Sequence, residues 1–158
     1  MTGEMEHGIR CEVVEEDSDY LLLRLYADNG EFSGVADAYL SLDGPAEFAA
    51  KLEGFPKAPS DSREIVLGSF GPQYGGGGVK FRFFCSDNSG HAWVELQIEA
   101  GESLVGVTQS VRLLLAIEAS AVDDFVRDLR LLTSTRAQPV ILPSALRDRS
   151  STLTSNWR

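Results

Sequence analysis

Four consecutive glycines next to a lysine form the stretch of this sequence that is closest to a binding motif. The stretch G-P-Q-Y-G-G-G-G-V-K-F-R-F-F-C covers residues 71–85. A phosphate-binding loop needs glycines that lead into a helix, because the helix N-terminus and the lysine bind the anion. Here Lys80 is followed by Phe81 and an alternating strand pattern. We therefore predict that residues 71–78 connect two strands; the alternative is a ligand-contacting loop at a pocket rim, with Tyr74 available to a partner.

A second concentration of reactive residue types follows this stretch. Ser86, Asp87, Ser89 and His91 fall within six residues, and they include the side-chain types of a catalytic triad. A triad is defined by geometry across a cleft, however, and Ser, Asp and Gly are also the residues that a hairpin turn favours. The pattern therefore predicts a turn, and we assign no catalytic residue.

Metal ligands are sparse in the sequence. His7 and His91 each lack a second histidine or cysteine at ligand spacing. Cys11 and Cys85 both fall on the inward phase of predicted strands, which is typical of core thiols. We expect neither a metal site nor a cofactor.

Charge and length restrict the classes of partner. The 158 residues carry a formal net charge of −10, which disfavours nucleic acid and anionic membranes as direct partners and suits a basic protein. The N-terminal residues are acidic where a secretory signal would be basic, and no run of eighteen apolar residues could span a membrane. With only two cysteines, the sequence favours a cytoplasmic protein.

Period-two hydrophobic patterns predict about seven strands, and period-3.6 patterns predict two helices. The strands are expected near residues 9–16, 19–27, 31–42, 63–70, 79–86, 91–99 and 107–117, and the helices near residues 45–53 and 120–132. Short turns between neighbouring strands favour antiparallel pairing. We predict an α+β domain over residues 1–135, with a mostly antiparallel sheet and both helices packed on one face.

The last 23 residues differ in composition from the rest. Residues 136–158 contain four arginines and one acid, lack periodicity and include Trp157. We predict a flexible polar tail, in which a lone tryptophan would be a docking group.

The predicted strand at residues 91–99 provides the best candidate for a partner-binding surface. Its outward phase carries Trp93, Glu95, Gln97 and Glu99. An exposed tryptophan among acids is typical of a protein-binding patch. The alternative is that a helix or the tail covers Trp93.

The order of these elements resembles the WapI-type immunity family, small bacterial cytoplasmic proteins paired with contact-delivered toxins. The resemblance rests on E-F-S-G-V-A-D-A-Y-L-S-L leading into P-A-E-F-A-A-K-L, and on L-L-A-I-E-A-S-A-V-D-D-F-V-R-D-L-R-L-L near the end. It covers roughly residues 20–133. It implies a non-enzymatic protein that blocks a toxin by occluding its active surface.

Three hypotheses about function follow. The first is an immunity-like inhibitor that binds another protein, with a basic toxin domain as the partner. The second is an acidic homodimer that acts as a secretion chaperone. The third is a small-molecule-binding protein or enzyme with residues 71–78 at its pocket rim.

Overall fold

Eight strands and two helices are present in the residues that the computed structural model describes, which are 7–71, 75–101 and 103–145. In chain order they are β1 (Gly8–Glu16), β2 (Tyr20–Asp28), β3 (Ser33–Ser41), α1 (Gly44–Leu52), β4 (Ser62–Gly68), β5 (Gly78–Cys85), β6 (Ala92–Glu99), β7 (Ser110–Ile117), α2 (Ala119–Leu129) and β8 (Val140–Pro143). The predicted α+β class is confirmed.

The strands form two four-stranded antiparallel sheets. The first sheet has the order β3-β2-β1-β8, and the second sheet has the order β4-β5-β6-β7. The second sheet is a meander in which β4, β5, β6 and β7 pair in chain order, and its β5–β6 pair is joined by the short turn that was predicted after Cys85. One mostly antiparallel sheet was expected, whereas the strands are divided between two sheets.

Alternation along each strand separates a buried face from an outer face. In β6, for example, Ala92, Val94, Leu96 and Ile98 are buried while the intervening residues lie on the outer face. The inner faces of both sheets and both helices contribute to a single hydrophobic core. No polar or charged residue is classed as buried in the part of the chain that the structure describes.

Strand β3 joins the two sheets by running across the ends of all four strands of the second sheet. This close approach depends on glycine. A Cβ at Gly77 would lie 2.5 Å from the carbonyl oxygen of Glu99 and 3.1 Å from the Cβ of Ala36. The backbone N–H of Gly77 donates to the carbonyl oxygen of Asp37 at 2.7 Å. The glycine run therefore connects β4 to β5, as predicted, and packs directly on β3.

The helices pack against each other and against the core. Pro45 occupies the first turn of α1, and Gly54 follows its end with φ +78°, a left-handed conformation that favours glycine. Phe48 of α1 has its ring centroid 4.8 Å from that of Phe81 in β5 and 5.7 Å from that of Phe125 in α2. One phenylalanine thus links both helices to the second sheet.

The C-terminal part of the domain differs from the sequence prediction. Residues 136–145 were expected to belong to a tail, but β8 lies within them and pairs with β1 from Gly8↔Pro143 to Cys11↔Val140. Val140 and Leu142 are fully buried. The domain therefore extends beyond residue 135. The rest of the expected tail, residues 146–158 with Trp157, lies outside the described residues.

Candidate protein-binding surfaces

The four predicted partner-binding residues of β6 lie together on the outer face of the second sheet. Trp93, Glu95, Gln97 and Glu99 alternate with buried residues, and each is partly exposed. Tyr74, the fifth predicted residue, lies outside the described residues. The structure thus brings four of the candidates onto one face.

The acids on this face are engaged in local contacts. Glu95 Oε1 lies 3.4 Å from Arg82 Nε, and Glu99 Oε1 accepts the backbone N–H of Gly71 at 2.6 Å. The neighbouring strands add basic residues to the same face. Its charged members are three acids and three bases, namely Glu64, Glu95, Glu99, Lys80, Arg82 and Arg112. The outer face of the second sheet is consequently balanced in charge.

An apolar row crosses one end of this face. Phe84, Trp93 and Ala116 are register partners on β5, β6 and β7. The guanidinium carbon of Arg82 lies 4.3 Å from the centroid of the Phe84 ring, within cation–π distance. We call these three residues the Trp93 row.

The outer face of the first sheet has a different chemistry, which the sequence analysis did not single out. Glu12, Glu15, Asp28 and Asp37 lie on its strands, and Glu16, Asp17 and Asp19 lie at its β1–β2 end. Arg10 and Arg24 are the bases on the same strands. These positions therefore carry seven acids and two arginines, a net charge of −5.

Tyrosines and aliphatic side chains accompany these acids. Tyr20 and Tyr39 meet edge-to-face with ring centroids 5.2 Å apart, and Tyr39 and Val35 are each about half exposed. The Tyr20 hydroxyl donates to Glu15 at 2.9 Å, and this hydrogen bond raises the pKa of Tyr20 to about 12. Tyr26 lies on the same face and is the register partner of Val35. We call this surface, with the acids above, the acidic tyrosine face.

An open cleft of about 540 Å³ borders the acidic tyrosine face. One side is formed by Arg24, Val35 and Asp37, and the other by Gly75–Gly77 and Ala100–Gly101. Arg24 donates to both carboxylate oxygens of Asp37, at 2.9 and 3.0 Å. The main polar side chains of the cleft therefore already satisfy each other.

The β6–β7 loop continues from this cleft and ends in exposed aliphatic side chains. Ser103 Oγ accepts the backbone N–H groups of Val105 and Val107, at 3.3 and 2.9 Å, which shapes the tip. Leu104 is 98% exposed, Val105 81% and Val107 67%. Soluble domains seldom expose several adjacent aliphatic side chains without a binding role. We call residues 103–107 the aliphatic tip; the sequence S-L-V-G-V was the signal that the sequence analysis passed over.

The histidines form local pairs with aspartates. His91 Nδ1 lies 2.7 Å from Asp87 Oδ2, and this bond is the main cause of the lowered pKa of Asp87. His7 Nδ1 lies 3.1 Å from Asp28 Oδ1. The Ser86 hydroxyl donates to the carbonyl oxygen of His91 at 3.5 Å, and the backbone N–H of Ser89 donates to Asp87 Oδ1 at 2.9 Å. The Asp87–His91 segment is a hairpin turn, as predicted.

Metal-ligand clusters and membrane-spanning helices are both absent from the described residues. In residues 7–71, 75–101 and 103–145, no three His, Cys, Asp or Glu side chains form a group able to hold a metal ion. Over the same residues, no helix combines the length and hydropathy needed to cross a bilayer. The two cysteines are free, Cys11 buried and Cys85 partly so.

Comparison of the chain with protein-family models, with curated proteins and with solved structures found no match.

Proposed function

We propose that this chain is a non-catalytic, cytoplasmic inhibitor of immunity type, and that it binds a basic protein domain through the acidic tyrosine face and the adjoining aliphatic tip. The observation that carries this proposal is the presence of acids together with half-exposed Tyr39 and Val35 on the outer face of the first sheet. The cleft at Val35 is lined on its other side by Ala100 and Gly101, which precede exposed Leu104 in the chain. The immunity role itself rests on the resemblance to WapI-type immunity proteins.

Electrostatics favours this face over the outer face of the second sheet. On strand positions alone, the outer face of the first sheet carries four acids against two arginines, which attracts a basic partner, whereas the three acids of the second sheet are offset by three bases. Attraction over a Debye length raises the association rate of oppositely charged proteins. A nuclease toxin, which must bind a polyanion, would present such a basic surface.

Side-chain chemistry favours the same face for affinity. Tyrosine is enriched among the residues that contribute most to protein–protein binding, because it buries a large area at low conformational cost. Leu104, Val105 and Val107 would lose water contact on binding, and each fully buried side chain contributes roughly 1.5–3 kcal/mol. The acids would then set the orientation of the partner and the association rate, and the aromatic and aliphatic groups would stabilise the complex.

The cleft favours a second candidate function, the binding of a small molecule at the glycine connector. Its volume is sufficient for a small ligand, and Gly75–Gly77 form one side, as the third sequence hypothesis required. The bidentate Arg24–Asp37 pair would have to open to bind a charged ligand. We therefore rank this function second.

Co-expression tests the immunity function. The reading frame adjacent to the gene for this chain should arrest bacterial growth when expressed alone, and co-expression with this chain should restore growth. Arrest that co-expression does not relieve, or absence of arrest, would contradict the immunity function.

Paired charge reversals on this chain then show which of its two faces binds the toxin. We expect Glu15→Lys with Asp19→Lys to raise the Kd at least about tenfold, mainly by slowing association. The matched variant Glu95→Lys with Glu99→Lys changes the charge equally on the other face, and the sequence-based hypothesis predicts that this variant weakens binding instead. Biolayer interferometry at two salt concentrations distinguishes the two faces, with circular dichroism as the folding control.

A further inference from the structure

A β-bulge in β1 determines the face on which Glu15 lies. The register between β1 and β2 shifts after Val13, so that Glu15 pairs with Leu22 and Val14 is the extra residue. Without this extra residue, Val14 would pair with Leu22 and the Glu15 carboxylate would fall on the buried phase of the strand. The bulge therefore places a carboxylate beside Leu22 on the outer face of the first sheet.

Tyr20 connects this carboxylate to a second tyrosine. Leu22 pairs with Glu15 on one side and with Tyr39 on the other, and Tyr20 precedes Leu22 by two residues on the same face. The Tyr20 hydroxyl donates to Glu15 Oε1, and the Tyr20 ring meets the Tyr39 ring edge-to-face. The backbone N–H of Tyr20 donates to Asp17 Oδ1 at 3.0 Å, which fixes the start of β2. We call Glu15, Tyr20, Leu22 and Tyr39 the Tyr20–Tyr39 site.

The described residues of this chain supply no cation to the Tyr20–Tyr39 site. Among them, Glu15 forms no ion pair, and arginines lie over two phenylalanine rings but over neither Tyr20 nor Tyr39. Arg24, on the same strand as Tyr20, donates to both oxygens of an aspartate and is already engaged. Glu15 is exposed and Tyr39 is about half exposed. A carboxylate and an aromatic ring are therefore open to a cation from outside.

Arginine combines the properties that match this site. Its guanidinium is planar and always charged, and it stacks on aromatic rings while its N–H groups donate to carboxylates. Its methylene stem packs on apolar side chains such as Leu22. The ammonium group of lysine is compact and more strongly hydrated, so it gains less from a flat ring. The combination of aromatic, apolar and acidic groups thus favours arginine over lysine.

We propose that the Tyr20–Tyr39 site binds one arginine side chain of a basic partner protein, with the guanidinium against the tyrosine rings and donating to Glu15. The stem of this arginine covers Leu22. The inference rests on the proposed function and deepens it, because it names the group that the partner contributes to the acidic tyrosine face. The other acids of this face act over longer distances, whereas this site fixes the position of one partner residue.

Nuclear magnetic resonance of the full-length chain with ¹³C-labelled tyrosine rings tests the site without any toxin. The probe is N-acetylarginine N-methylamide, and its controls are the uncharged citrulline and the charged lysine compounds of the same design. We expect the arginine probe to shift the ring signals of Tyr20 and Tyr39 with a saturable, millimolar Kd, and each control to shift them less. Unshifted Tyr20 and Tyr39 signals, or equal shifts with either control, would overturn the proposal.

Substitutions in the full-length chain separate a defined site from general attraction to an acidic surface. Glu15→Gln and Tyr39→Leu should each raise the Kd of the arginine probe at least about threefold. The matched control Glu12→Gln removes the same charge from the same strand and face, and it should change the Kd by less than about twofold. Equal weakening by Glu15→Gln and Glu12→Gln would contradict the site. Because the probe replaces the toxin, this result is independent of the co-expression result, so either proposal can fail alone.

Discussion

At the scale of single residues, Arg63 and Asp61 form the most enclosed ion pair among the described residues. Their side chains are 18% and 14% exposed. Arg63 donates from Nε and Nη2 to the two oxygens of Asp61, at 2.9 and 2.8 Å, and from Nη1 to the carbonyl oxygens of Lys51 and Glu53, at 2.9 and 3.1 Å. One guanidinium therefore satisfies carbonyl groups at the end of α1 and fixes the loop that leads into β4.

Replacing Asp61 tests the energetic role of this pair and its dependence on pH. Asp61→Asn should lower the free energy of unfolding by about 1–3 kcal/mol at pH 7, because Arg63 loses its charged partner in a poorly hydrated position. The hydrogen bond from Arg63 is the main cause of the lowered pKa of Asp61. The stabilisation is therefore present above the ordinary pKa of 3.8 and is lost as the pH falls through the folded-state pKa.

Urea denaturation of Asp61→Asn and the unmodified chain between pH 7 and pH 2.5 gives the required comparison. We expect the difference in stability to shrink below about pH 4, since asparagine does not titrate. The control is Asp124→Asn in an exposed pair with Arg127, which should change stability by less than about 0.5 kcal/mol. If the difference in stability between Asp61→Asn and the unmodified chain stayed constant over the whole pH range, the Asp61–Arg63 pair would not be the source of the pH dependence.

At the scale of elements, the glycine connector has two kinds of position. Gly77 is enclosed by the backbone of Glu99 and by Ala36, whereas a Cβ at Gly75 would meet no atom within 4 Å. Neither glycine has a positive φ, so steric space and not backbone conformation distinguishes them. The connector is consequently both a packing element and a loop.

A pair of alanine substitutions distinguishes packing from flexibility in this connector. Gly77→Ala should destabilise the fold by about 1–3 kcal/mol, because the new methyl group would overlap backbone atoms that cannot move independently. Gly75→Ala should be neutral or slightly stabilising, because it only reduces the freedom of the unfolded chain. Thermal unfolding of both variants measures the two losses of stability. Equal losses would show that the connector acts through flexibility alone and not through packing at Gly77.

At the scale of the whole molecule, β8 closes the first sheet and contributes to the common core. Leu142 is fully buried and pairs in register with Ile9, and β8 contacts α2. A segment in this position belongs to the cooperative unit, and not to a tail. The stability of the entire domain should therefore depend on it.

Truncation of Leu142 measures this dependence. Leu142→Ala should lower the free energy of unfolding by about 2–5 kcal/mol in one cooperative transition, because it leaves a cavity between the first sheet and α2. Ile141→Ala on the same strand is the control, since Ile141 is 47% exposed, and it should cost much less. If residues 136–158 were a tail, as the sequence suggested, both substitutions would be nearly neutral.

Much of the fold was predictable from local patterns. Alternation identified all seven strands from β1 to β7 and the inward residues of β1, β5, β6 and β7, and helical periodicity identified α1 and α2. The short strand β8 was missed because V-I-L-P has no alternation, is followed by a polar stretch and lies among arginines. Its strand character comes from pairing with β1, which is a contact between residues more than 120 positions apart.

The candidate surfaces were less predictable. Alternation placed Trp93 and Glu95 correctly on an outer face, but it could not show that Arg82 would lie beside Glu95. Neither could it show that β1, β2 and β3 would bring seven acids and three tyrosines together, or that Leu104 would project from a loop. The net charge of a surface depends on which strands become neighbours.

The sequence alone therefore determined which residues face the core, because side-chain direction along a strand is a local property with a period of two. It also determined the acidic character of the protein and the connector role of residues 71–78. Only the tertiary structure decided that two sheets form, that β8 completes one of them, and that the outer faces differ in charge. These properties depend on the register and neighbours of distant strands, which the core selects by burying the most apolar surface.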